Sequence, residues 1–122
     1  MFILEYKIDS VQAADITVAL AAPVDCRIES AHIVCSVAVA SGASPKLVCE
    51  IYDDADTNVL LSADSEASGF SQNAPVAMSL QDGISKRYES GEAIQCKVDV
   101  TGSLASATDV IFVIKCVPAR DI

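Results

Sequence analysis

Histidine occurs once in this chain, at His32. A Ser-His-Asp or Cys-His arrangement would have to run through it, because the activating base must reach its nucleophile by a hydrogen bond. His32 stands between Ala31 and Ile33, and no Ser sits in a small-residue elbow. A structural or surface histidine is therefore expected. A cupin-type metal site needs several His and a carboxylate, which this chain cannot supply. Asp54-x-Asp56-x-Asn58 has the alternating oxygen spacing that opens a calcium loop. The match then fails, because the sixth position is Val59 rather than Gly and the twelfth is Ser65 rather than Glu. Asp53, Asp54 and Asp56 could still gather a weak cation. The expected reading is an acidic hairpin turn in which Asn58 takes left-handed backbone. No metal and no cofactor are expected.

Five cysteines, Cys26, Cys35, Cys49, Cys96 and Cys116, form no Cys-x-x-Cys pair. Each shares its face with apolar neighbours, such as Cys35 with Ile33, Val37 and Val39. Buried thiols acting as small hydrophobes are expected, a usage that suits a reducing compartment. Carboxylates are numerous enough for a glycosidase-like pair. There is no Trp, however, and Tyr6, Tyr52 and Tyr88 are scattered, so the stacking platform of a sugar site is missing. The five glycines are dispersed among turns and form no phosphate-cradling loop. Catalysis is not expected.

The elements that would position these residues are strands. Ile94, Cys96, Val98 and Val100 share one face of a run that continues, after a Gly/Ser-rich link, into Val110, Phe112, Ile114 and Cys116. Such period-two alternation marks half-buried strands, and the two runs read as an antiparallel hairpin. Upstream, Phe2, Leu4, Tyr6 and Ile8 share one face of a first strand. That strand either pairs inside the sheet or reaches out as an arm to a neighbouring subunit. Ile16, Val18 and Leu20 follow, then Pro23 breaks the ladder. Between Cys26 and Ala40 the inward parity changes from even to odd, so a bulge or corner is expected near Ser30, Ala31 and His32. Leu47, Cys49 and Ile51 face inward on the next strand, Val59 to Ala63 returns, and Val76, Met78 and Leu80 face inward on Pro75 to Gln81. Asp82-Gly83 reads as a turn, with Ile84 to Ser90 leading into the last two strands. Ser62 to Asn73 is the most polar stretch, a long loop with a short strand near Phe70.

The expected fold is all-β: one domain over residues 1–122, an antiparallel β-sandwich or barrel of about eight strands, jelly-roll-like. Residues 1–9 form its N-terminal strand or arm. The apolar fraction is 52%, carried by Ala, Val and Ile, and it suits packed sheets. No run reaches the roughly 18 apolar residues of a spanning helix. The start has no basic leader, so synthesis in the cytoplasm is expected. A net charge of −9 disfavours nucleic acid and anionic membranes as partners. Val34, Ala38, Ala40, Val48, Ile111, Val113 and Val117 lie opposite the expected core positions. Either they cover a subunit interface, or their strands are central in a crowded barrel, or the inward face is misassigned.

Three stretches resemble the small jelly-roll decoration (cement) and head-fibre proteins of tailed bacteriophages. Ala22 to Val34 is similar to a break followed by a strand leading into a long Val-rich strand. Tyr88-Glu89-Ser90-Gly91-Glu92-Ala93-Ile94 resembles the Gly-acidic turn opening the penultimate strand. Val110 to Pro118 resembles the closing strand. The resemblance spans roughly residues 15–118 and implies a non-enzymatic homotrimer on the outer capsid surface. It would clamp the major capsid protein lattice of the virion. The abundance of Cys departs from the family. Contacts are expected from loops and the terminal arm: Phe2, Ile3, Leu4, Ser68, Phe70, Gln72 and Asn73. The alternative is a glycan- or receptor-binding module of a phage fibre or tail.

Overall fold

The computed structural model of the protein describes residues 1–81 and 87–118. The expected Asp82-Gly83 turn and the Ile84-to-Lys86 half of the lead-in to the last strands lie outside the described residues. Among the described residues there are ten strands: β1 (Phe2–Val11), β2 (Ile16–Ala21), β3 (Cys26–Cys35), β4 (Lys46–Tyr52), β5 (Val59–Asp64), β6 (Pro75–Ala77), β7 (Ser79–Leu80), β8 (Arg87–Tyr88), β9 (Ala93–Thr101) and β10 (Thr108–Pro118). They make two antiparallel sheets. The first runs β1-β10-β3-β6, with β8 also on β3, and the second runs β2-β9-β4-β5-β7. With β6 and β8, which both pair with β3, counted as one strand position, and β7 as an added edge on β5, this order is that of a jelly roll.

Alternation builds both sheets. Along β4 the side chains of Leu47, Cys49 and Ile51 are buried while Lys46, Val48, Glu50 and Tyr52 are half-exposed. β10 alternates through Val110, Phe112, Ile114 and Cys116, and β9 through Ile94, Cys96 and Val98. These inner faces close one core cluster between the sheets. The parity change in β3 is absorbed at Glu29: Lys115 pairs with Ser30 and Cys116 with Ile28, leaving Glu29 as the extra residue of a bulge.

Three expectations need correction, and one left open is resolved. The runs expected to form the closing hairpin do not pair with each other: β9 lies between β2 and β4, and β10 between β1 and β3. Their Gly/Ser-rich link crosses the end of the sandwich because Leu104 is buried there, donating its N–H to Gln12 O at 2.9 Å and accepting from Gln12 Nε2 at 3.0 Å. The strand expected through Ala40 stops at Cys35, after which Val39 re-enters the core by a bridge to Phe70. The Pro75-to-Gln81 strand is two pieces. β6 pairs with β3 in the first sheet and β7 with β5 in the second. The switch falls at Met78, which is buried, so Leu80 ends on the outside, 48% exposed. Finally, β1 pairs along its length with β10 of its own sheet, from Phe2↔Cys116 to Ile8↔Val110. Of the two roles left open for it, this chain shows the strand.

Candidate functional site

The acidic turn between β4 and β5 is the first candidate. Its carboxylates point to separate partners. Asp53 accepts from Thr57 N at 2.8 Å, Asn58 N at 3.3 Å and Asn58 Nδ2 at 2.9 Å. Those donors hold its carboxyl below the usual carboxylate range. Asp54 accepts from Ala93 N at 2.6 Å, tying the turn to the start of β9. Asp56 pairs with Lys97 at 2.6 Å. The left-handed residue is Asp56 (φ 58°), not Asn58, whose side chain instead caps Asp53. Asp54, Asp56 and Asn58 therefore act as stitches of a turn.

His32 is half-buried on the outer face of the first sheet, opposite Val113 and Ala77 in register. The thiols alternate onto the inner faces, and all five are free and buried. Burial pushes Cys35 up to about 11 and Cys96 up to about 12. Burial and the neighbouring Cys26 push Cys116 up to about 12. A thiol held protonated is a poor nucleophile, and these behave as packing groups.

A cavity of about 120 Å³ lies between the loop that follows β3 (Ala38, Ala40, Pro45) and the β9–β10 link (Leu104, Ala105, Ser106). Only Ser106 brings a side-chain hydroxyl to it. Its volume is well under the roughly 300–1,000 Å³ of a typical small-molecule site.

The outer faces differ in chemistry. On the first sheet, one row reads Lys7, Ile111, Val34, Pro75 and the next reads Glu5, Val113, His32, Ala77. On the second sheet, Thr17, Lys97, Glu50 and Ser62 form a row, and Asp99, Val48 and Asp64 form the next. Lys97 also lies 4.2 Å over the ring of Tyr52. Burial, then the charge of Asp99, holds Glu50 above its ordinary value. Burial, then Asp15, does the same to Asp99. The apolar residues expected on one second face thus divide. Val34, Ile111, Val113 and Val117 belong to the first sheet, Val48 to the charged second sheet, and Ala38 and Ala40 to a loop. Parity assigns a side chain to inside or outside, but it does not say which outside.

Of the expected contact residues, Ile3 is 58% exposed and Phe2 and Leu4 are half-buried. Ser68, Gln72 and Asn73 are exposed at the loop between β5 and β6. Phe70 is corrected to a core residue: it is 3% exposed and bonded to Val39 in both directions, at 2.8 and 2.9 Å. The loop is laced to the sandwich rather than free. Gly69 makes this possible, since a Cβ there would lie 2.5 Å from Val39 O.

Sequence reasoning missed several anchoring residues. Ser65 is fully buried, and its Oγ accepts from Leu47 N at 2.9 Å. Thr108 Oγ1 accepts from Val37 N at 3.1 Å and donates to Val37 O at 3.2 Å. Tyr88 donates to Tyr52 O at 2.7 Å across the sheets. Only Tyr88 had a signal, as a lone aromatic in a polar stretch.

No protein-family model matches the chain, and no curated protein matches it. Among solved structures it is similar to a chain in the structure of infectious bursal disease virus, Gx strain, at 16% identity and a TM-score of 0.40. The match covers 98% of this chain and 33% of that one, so this chain spans about a third of its length.

Proposed function

We propose that the protein is a non-enzymatic structural component of a virion, a decoration (cement) protein that binds the outer capsid surface and stabilises the major capsid protein lattice. The observation that carries this reading is the jelly-roll strand order, joined to the three stretches that resemble phage decoration proteins. The sandwich is also suited to bearing load, because backbone and side-chain hydrogen bonds lace both ends. At one end Gly42 N bonds Glu66 O and Leu104 N bonds Gln12 O. At the other, Ala22 N bonds Glu92 O and Ser90 N bonds Asp25 Oδ1. Rigid sandwiches present recognition on their loops, so Ser68, Gln72 and Asn73 are the lattice contacts in this reading.

The test is shell stability. Capsids of the same virus assembled with and without the protein are heated, and release of their contents is followed. Protected shells, with protection lost when Ser68, Gln72 and Asn73 are changed together to Lys, support the reading. Shells that open at the same temperature with and without bound protein count against it.

A further inference from the structure

The two sides of the sandwich are built differently. On one side the chain crosses between sheets at Met78, and the edges there are the short strands β6, β7 and β8, of three, two and two residues. Short edges resist pairing with other chains. On the other side lie the long edges, β1 of ten residues and β2 of six. The link 12–15 joins them across the sheets, so both edges face the same way. β2 (Ile-Thr-Val-Ala-Leu-Ala) carries no charge at all. Along this side the inner face is not fully covered: Phe2, Leu4, Ile16, Val18 and Leu20 are only partly buried against the core, and Tyr6 is 38% exposed.

The sequence of β1 says what covers it. In an antiparallel pairing of β1 with itself, same-face contacts require registers in which inward residues oppose inward ones. The register centred on Tyr6 puts Glu5 opposite Lys7 twice on the outer face and Leu4 opposite Ile8 twice on the inner face. The neighbouring same-face registers put Glu5 opposite Glu5, or Lys7 opposite Lys7 with Glu5 opposite Asp9. Directly opposed like charges destabilise a ladder, and opposite charges stabilise it. Glu5 has no ion-pair partner among the described residues, while Lys7 lies 3.4 Å from Asp9 and 3.9 Å from Asp109, half-exposed. The pairing is limited to the regular part of the strand, because Ser10 is left-handed (φ 55°) and the ladder is irregular between Ile8 and Val11.

We infer that a second copy of this chain docks on the β1 edge, antiparallel about Tyr6, extending the first sheet across a two-fold axis and covering Leu4 and Tyr6 of both copies. The contact is isologous and closes at two copies. It goes beyond the proposed function and puts a dimer in place of the trimer that the resemblance implies.

The experiment is native mass by light scattering and native mass spectrometry under reducing conditions, with charge reversal. The wild-type chain is expected at twice its 12.8 kDa mass. E5K and K7E each put like charges in opposition and are expected to raise the dimer dissociation constant about tenfold or more. The E5K/K7E double variant restores opposition of unlike charges and is expected to recover the wild-type constant. Both residues are exposed, and circular dichroism confirms that each variant is folded. A monomer at all concentrations, a trimer, or a double variant no tighter than the singles overturns the inference. A chain that is monomeric or trimeric and still protects shells overturns this pairing alone and leaves the proposed function standing.

Discussion

Replacing Ser65 with Ala tests whether the polar loop is fastened from inside. Ser65 is fully buried, and it serves Leu47 twice: its N–H donates to Leu47 O at 3.0 Å and its Oγ accepts from Leu47 N at 2.9 Å. The residue thus prolongs the β4–β5 ladder beyond Asp64, the last residue of β5. Alanine keeps the first bond and removes the second. Leu47 is itself fully buried, so water cannot replace the lost acceptor. An unsatisfied buried donor costs about 1–3 kcal/mol, whereas little packing is lost with one hydroxyl. With a urea slope of about 1–3 kcal/mol/M, the unfolding midpoint falls by roughly 1 M with the slope unchanged. The melting temperature falls by about 3–5 °C per kcal/mol for a chain of this size. The control is Ser68→Ala in the exposed part of the same loop, expected within about 0.5 kcal/mol of wild type. A loss for Ser65→Ala no larger than the control's would refute the argument.

Other outcomes follow from the same fold. The thiols and Tyr88 are held protonated by burial, with folded values above unfolded ones. Their stabilising contribution is therefore complete below about pH 8.5 and is lost as pH rises towards the folded values. The urea midpoint should fall between pH 8 and pH 10.5, with the thiols inert to Ellman's reagent until unfolding; an unchanged midpoint contradicts this. Burial and Asp15 raise Asp99, so its charged form disfavours folding, and stability is lost as pH rises through its folded value. D99N should raise the midpoint at pH 7, a gain absent at about pH 3 where the carboxyl is protonated in both states. Equal gains at both pH values would show that charge is not the cause. Calcium at about 1 mM, the range of weak extracellular sites, should leave the melting temperature unchanged, because Asp54 and Asp56 already hold Ala93 and Lys97. A saturable rise that disappears in D56N would contradict that assignment.

Alternation makes the inner faces of β1, β2, β4, β9 and β10 legible in the amino-acid sequence. The parity change between Ile28 and Ile33 locates the bulge within a residue or two, because an extra residue must shift every side chain after it. Pairing is less legible. β9 and β10 are adjacent in the chain and strongly patterned, yet they belong to different sheets, and only the burial of Leu104 in their link distinguishes a crossing from a hairpin. Leu80 shows the same limit: its parity matches Met78, but the switch between sheets turns it outward. Of the candidate contacts, Ser68, Gln72 and Asn73 are exposed, as their polarity suggests. Phe70 is not, since an aromatic in a polar loop is as often the plug that holds the loop down. The buried hydroxyls of Ser65 and Thr108 have no signature, because each is defined by a distant backbone group that the chain order does not reveal.

The central claim is that this sandwich sits on a capsid. Its most direct test is co-sedimentation of the purified, reduced protein with shells of the major capsid protein of the same virus, over a range of protein concentrations. The account predicts saturable binding at a fixed number of copies per shell, on the outer surface by electron microscopy. Protein that remains in the supernatant at every concentration, while the shells stay intact, would contradict it.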